Sequence, residues 1–153
     1  MAATVVNRQR RVPVSRRAIA RAAERALRAV GRPGSDVEIL VVDDREIARL
    51  HGEYLGTEKR TDVLAFPLEV EEAGEPLLGQ VVISAETARR QAARVGVPLG
   101  LELDLLATHA ILHLVGWDDH DPAEATLMHR REREILAGTG RVPARLWAGL
   151  LDD

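Results

Sequence analysis

The 153-residue chain contains no cysteine. That excludes disulfides, thiolate zinc sites, cysteine-ligated iron–sulfur clusters and a cysteine nucleophile, so any transition-metal site has to be built from histidine and carboxylate. The absence also fits a reducing compartment. Aromatic residues are scarce. Tyr54, Phe66, Trp117 and Trp147 are the whole set, too few for the base-stacking platform of an RNA-recognition-motif domain. Lysine occurs once, at Lys59, and the formal net charge is -3; bulk charge therefore does not advertise a nucleic-acid binder. Long apolar runs are missing too. Residues 1–20 lack the continuous apolar core of a signal peptide. The most apolar stretch, residues 99–115, is interrupted by Glu102, Asp104 and two histidines, which argues for a buried helix over a membrane span. A cytoplasmic protein with no membrane partner is the expectation.

What is present reads as one domain. A chain of this length buries roughly two-thirds of the surface its unfolded form exposes, enough for its own core. The breaks at residues 31–34, 69–76, 96–100 and 138–143 are loop-sized rather than linker-sized, so residues 1–153 are expected to form a single small domain. Residues 5–14 suit a first strand. Ser15 suits an N-cap for a helix to about residue 30, with Ile19, Ala23, Ala26 and Leu27 on one face. Residues 37–42 read as a buried strand, and Asp43 and Asp44 open a helix to Tyr54. Two strands at 61–68 and 77–84 flank an acidic turn, and Ser84 caps a charged helix to Arg94. Helices follow at 99–115 and 122–137, the second with Pro122 in its first turn and Gly138 at its end. Strands concentrate in the first half and helices in the second. This predicts an α+β fold, a mixed sheet of about four strands packed with helices.

The chemistry concentrates in HAILHLVGWDDHD, residues 109–121. His109 and His113 stand i, i+4, on one helix face, where two imidazoles can reach one metal ion. Gly116 offers a helix stop, and His120 just beyond it is placed to return as a third ligand. The pair is equally readable as two histidines satisfied by carbonyls and carboxylates without metal. Asp118 and Asp119 could hold a ring or orient a water, or simply form the turn ahead of Pro122. Either could also replace His120 as an oxygen ligand. His51 and His129, on charged helices, read as solvated. Ala110 stands where a metalloprotease of the H-E-x-x-H type carries its glutamate, which disfavours peptidase chemistry.

The run HAILHLVGWDDH resembles the histidine motif of the YbeY family, H-G-x-L-H-L-x-G-Y-D-H. Two further segments are similar in order and spacing: YLGTEKRTDVLAFP, starting at Tyr54, and LLGQVVIS, starting at Leu77. The resemblance implies a helix like that of the zincins carrying the histidine pair, and one zinc ion held by His109, His113 and His120. It also implies a zinc-dependent, single-strand-acting endoribonuclease of the cytoplasm. Its partners would be ribosomal RNA and the small ribosomal subunit or its assembly factors, in 16S ribosomal RNA 3' end maturation and ribosome quality control. Two departures stand out. The extra aspartate places His120 one residue further on than the family's third histidine. Leu55 occupies the position of an arginine that follows the tyrosine in the family pattern, and a leucine can neither carry charge nor fork onto a phosphate. Lys59 and Arg60 are the nearby cations that could substitute, or they are solvated loop charges. Catalytic candidates are thus Lys59, Arg60, Asp118 and Asp119. The rival readings are a non-catalytic assembly factor with a structural metal and a metal hydrolase of another substrate. Most arginines alternate with glutamates at helical spacing, as in a salt-bridged surface rather than a basic strip.

Overall fold

A computed structural model describes residues 3–54, 63–72, 75–140 and 142–148. Four strands, β1 (Ala3–Asn7), β2 (Asp36–Val42), β3 (Val63–Glu72) and β4 (Glu75–Ser84), form one sheet in the order β1-β2-β4-β3. The first three neighbours run parallel and β3 runs antiparallel to β4 at the edge. Five helices accompany the sheet: α1 (Arg16–Ala29), α2 (Asp44–Tyr54), α3 (Ala85–Val95), α4 (Leu99–Leu114) and α5 (Pro122–Leu136). Two 3-10 turns, Ala137–Thr139 and Ala144–Trp147, follow. This is the small α+β arrangement with a mixed four-stranded sheet that the element pattern predicts.

The strands alternate as a sheet covered on both faces must. Val37, Ile39 and Val41 of β2, with Val81 and Ile83 of β4, join the main core against α1 and α4. Their neighbours Val42 and Val82 point the other way, into a smaller cluster with Ile47 of α2 and Leu64. α4 is apolar around almost its whole circumference because α1, α3, α5 and the sheet all pack against it, the pattern of a core helix. Among the described residues no single helix is long and apolar enough to cross a membrane.

Helix starts follow local side-chain chemistry. The Ser15 hydroxyl accepts from the Ala18 amide at 3.1 Å, the Asp43 carboxylate from Glu46 at 2.8 Å and the Asp121 carboxylate from Glu124 at 2.8 Å; such caps contribute about 1 kcal/mol each. Ser84 accepts from the Thr87 amide at 3.2 Å and donates to Asp44 at 2.6 Å, so the starts of α2 and α3 are fastened together.

One glycine controls how close α4 lies to the sheet. A Cβ on Gly79 of β4 would stand 2.5 Å from the Phe66 carbonyl oxygen and 2.7 Å from Leu114 Cδ2. Its bare Cα lets the last turn of α4, the turn that carries His113, rest on β4.

Two strand expectations change. β1 ends at Asn7 instead of running to residue 14, because the Gln9 side chain takes over the hydrogen bonding. Its Oε1 accepts from the Arg11 and Val12 amides at 3.0 and 2.9 Å, and its Nε2 donates to the Val12 carbonyl at 2.8 Å. The chain turns there instead of extending. β3 and β4 run further into the acidic segment than expected, pairing as far as Glu72 with Glu75.

Candidate metal centre

α4 ends in a complete Schellman turn. Gly116 adopts φ 103°, its amide donates to the His113 carbonyl at 3.1 Å, and the Trp117 amide donates to the Leu112 carbonyl at 2.9 Å. This left-handed stop is what glycine supplies after a helix. The turn directs the Trp117 carbonyl back at the helix, where it lies 3.0 Å from His113 Nδ1. A carbonyl can only accept, so His113 carries its ring hydrogen on Nδ1 and leaves Nε2 free.

His109, one turn earlier, reaches the same state by another route. Its Nδ1 lies 2.6 Å from Glu132 Oε2 of α5. Burial alone would push the Glu132 carboxyl up, but hydrogen bonds from His109 and His129 hold it down at about 2. It is therefore an anion at neutral pH and accepts a hydrogen from Nδ1. The two free Nε2 atoms then face each other at 3.1 Å, a contact that is favourable only with a proton or a cation between them.

Asp119 completes the cluster. Its oxygens lie 3.7 Å from His109 Nε2 and 3.6 Å from His113 Nε2. The His113 imidazole beside it, opposed by burial and aided by the other neighbouring imidazoles, lowers its carboxyl to about 2. Burial alone would depress the His113 imidazolium, yet the Asp119 carboxylate beside it raises the His113 pKa above the ordinary value. Donors around a tetrahedral zinc at about 2.0–2.1 Å stand roughly 3.3 Å apart. The two nitrogens stand close to that spacing, and each has an Asp119 oxygen within 3.7 Å. With one ligand atom apiece within 4.8 Å of one another, His109, His113 and Asp119 are a group able to hold a metal ion. Two imidazole nitrogens and a carboxylate suit a borderline divalent cation such as zinc.

The expected third histidine is not part of this group. The His120 side chain is 80% exposed and pairs with Asp118 at 2.7 Å. The loop brings Asp119 to the histidine pair and leaves His120 facing solvent. Asp118 also accepts from the Asp119 amide at 2.8 Å, which is turn formation. Lys59, Arg60 and Leu55 lie outside the described residues. The same loop lines an open groove of about 320 Å³ together with Glu124 and Leu127 of α5.

His51 and His129 are both buried rather than solvated. His129 donates from Nδ1 to Glu132 Oε1 at 2.8 Å, and its ring lies 22° from parallel to that of His109 with centroids 6.5 Å apart. Trp147 Nε1, from the last 3-10 turn, donates to the same oxygen at 2.9 Å. Glu132 is the buried carboxylate behind His109 that the histidine motif does not include. A signal existed: Met128, Glu132, Ile135 and Leu136 share a helical stripe, so a carboxylate sits on the apolar face of α5. Surface pairing at helical spacing engages Arg49 with Glu53 at 3.0 Å and Arg131 with Glu134 at 3.2 Å, while Arg8 and Arg90 pair across elements with Glu46 at 2.6 Å and Asp44 at 2.8 Å.

Fold and site together describe a small α+β protein with a two-histidine, one-carboxylate cluster at the end of a buried helix. Residues 4–140 match the family model described as Endoribonuclease YbeY. The chain is 44% identical over 123 residues to the Endoribonuclease YbeY of an Anaeromyxobacter species, a match covering 80% of this chain and 64% of that protein's length. It is 39% identical over 142 residues to that of Geobacter metallireducens, covering 90% of this chain and 95% of the relative. The solution structure of a Thermotoga maritima protein superimposes with a TM-score of 0.59 at 19% identity, over 97% of this chain and 91% of that one, a likeness of fold. The chain belongs to the YbeY family.

Proposed function

We propose that the chain is a zinc-dependent endoribonuclease acting on single-stranded RNA in 16S ribosomal RNA 3' end maturation and ribosome quality control, in the cytoplasm. The observation that carries the reading is the facing pair of Nε2 atoms at 3.1 Å, both rings locked from behind, with the Asp119 carboxylate beside them. Family membership supports an RNA substrate. His109, His113 and Asp119 would hold the ion. Zinc supplies Lewis acidity at the phosphodiester and makes water acidic enough to attack near neutral pH. The protein's own residues then do the positioning. The Trp117 carbonyl and the Glu132 carboxylate keep the two rings turned, and Asp119 stays ionised. Asp118 shapes the loop and pairs with His120. Lys59 and Arg60 are the cations proposed to meet the phosphate in place of the arginine that Leu55 replaces.

The group offers three donors among the described residues, in keeping with a catalytic zinc site that keeps one position open and unlike a closed structural one. The test is cleavage of a single-stranded RNA spanning the 16S 3' end by untagged protein, by metal-stripped protein and by the His109→Ala, His113→Ala double variant. Cleavage is expected from the zinc-loaded wild type alone. Undiminished cleavage by the double variant would overturn the assignment. Zinc binding without cleavage by the wild type would favour an assembly factor.

A further inference from the structure

The Glu132 side chain is fully buried, and the groups that reach it are N–H donors from three different elements. His109 on α4 reaches Oε2 at 2.6 Å; His129 on α5 and Trp147 after α5 reach Oε1 at 2.8 and 2.9 Å. Burying a carboxylate costs several kcal/mol unless such donors compensate it. The division of labour between its two oxygens carries the argument. Oε1 serves His129 and Trp147, which pin the tail of the chain and α5. Among the described residues Oε2 serves His109 alone, and His109 is the ring whose other nitrogen faces His113 and Asp119.

We propose that Glu132 is a positioning residue for the metal centre: by accepting from His109 Nδ1 through Oε2, it fixes the ring's hydrogen on that nitrogen and turns Nε2, lone pair outward, to the ion. The inference rests on the reading of His109, His113 and Asp119 as a metal site and adds what sets the chemical state of its most buried ligand. A carboxylate behind a ligating imidazole also raises the basicity of the ring, the general role of such partners. His113 needs no carboxylate because the Trp117 carbonyl does the same for it, so the two ligands are set by independent means, one from α5 and one from the Schellman turn.

The oxygen assignment makes the Glu132→Gln variant discriminating. The amide oxygen can still accept from His129 and Trp147 and keep the tail in place. The amide nitrogen then faces His109 as a donor, which forces Nδ1 to accept and moves the ring hydrogen to Nε2, the metal-facing atom. Zinc affinity, measured by chelator competition on the full chain, should fall by about 10- to 100-fold, while thermal unfolding of the metal-free protein moves far less than in Glu132→Ala. Trp147→Phe removes a donor from Oε1 only and should leave zinc affinity within about twofold of wild type if the Oε2 contact is what matters. Ring-nitrogen NMR of the zinc-loaded wild type is independent of whether any variant folds. Nε2 of His109 should be the coordinated atom, with a hydrogen-bonded Nδ1–H. Coordination through Nδ1, or a Glu132→Gln protein that binds zinc as tightly as wild type, would overturn the role of Glu132 while leaving the metal site standing. A wild type that takes up no zinc would remove both.

Discussion

Gly79→Ala puts the packing argument to a quantitative test. The new Cβ would sit 2.5 Å from a backbone oxygen of β3 and 2.7 Å from Leu114 Cδ2. Leu114 can rotate, but the Phe66 carbonyl belongs to a strand paired in register with β4 through Phe66 and Gln80, so relief requires β3 or β4 to move. Overpacking of this kind costs about 1–3 kcal/mol, and the backbone contact places this case in the upper half of that range. For a chain of this size each kcal/mol shifts the midpoint by roughly 2–4 °C, so a fall of roughly 5–10 °C is expected. Gly52→Ala is the matched control. It lies in α2 with nothing within 4 Å of the added carbon and should gain about 0.5–1 kcal/mol from helix propensity alone. Thermal and urea unfolding of the two variants, followed by circular dichroism in the metal-free state, reads both. Because Leu114 adjoins His113, the first variant should also weaken zinc binding and the second should not. An alanine at 79 that leaves stability unchanged would refute the claim that close approach sets the position of α4.

Two further outcomes follow from the site. The folded pKa of Glu132 is depressed, from 4.5 to about 2, so its contribution is present above about pH 4.5 and is lost as pH falls toward 2. Acid titration of the metal-free protein should show a loss on the order of 3 kcal/mol across that window, and Glu132→Gln should flatten it; identical titrations for the two proteins would contradict the assigned interaction. Gly116→Ala meets no neighbour but must hold φ 103°, which should cost about 1–2 kcal/mol. It should also lower zinc affinity, by loosening the Trp117 carbonyl from His113. A variant with wild-type affinity would show that the turn does not govern that ring.

Local chemistry was easiest to read from the residues. Ser15, Asp43 and Ser84 start helices where their short oxygen-bearing side chains suggest, and the i, i+4 spacing puts His109 and His113 on one face. Features set by a single loop side chain or by distant parts of the chain were not legible. β1 stops at Asn7 because a glutamine amide outcompetes the ladder, which no periodicity records. The choice between Asp119 and His120 turns on which residue of a non-helical loop faces the helix, and both have metal-binding side chains. His129 looked solvated on a helix rich in charge, yet it is buried because Glu132 shares its face and Trp147, 15 residues beyond Glu132, closes over the same oxygen. The carboxylate among the apolar positions of α5 was the visible trace of that arrangement.

The central claim is that His109, His113 and Asp119 bind one metal ion, and zinc affinity of the full-length wild type, Asp119→Ala and His120→Ala tests it most directly. Asp119→Ala should lower affinity by more than about 100-fold, beyond what loss of a supporting group costs, while His120→Ala, whose ring is 80% exposed, should bind as the wild type does. Loss of zinc on His120→Ala with retention on Asp119→Ala would contradict the account.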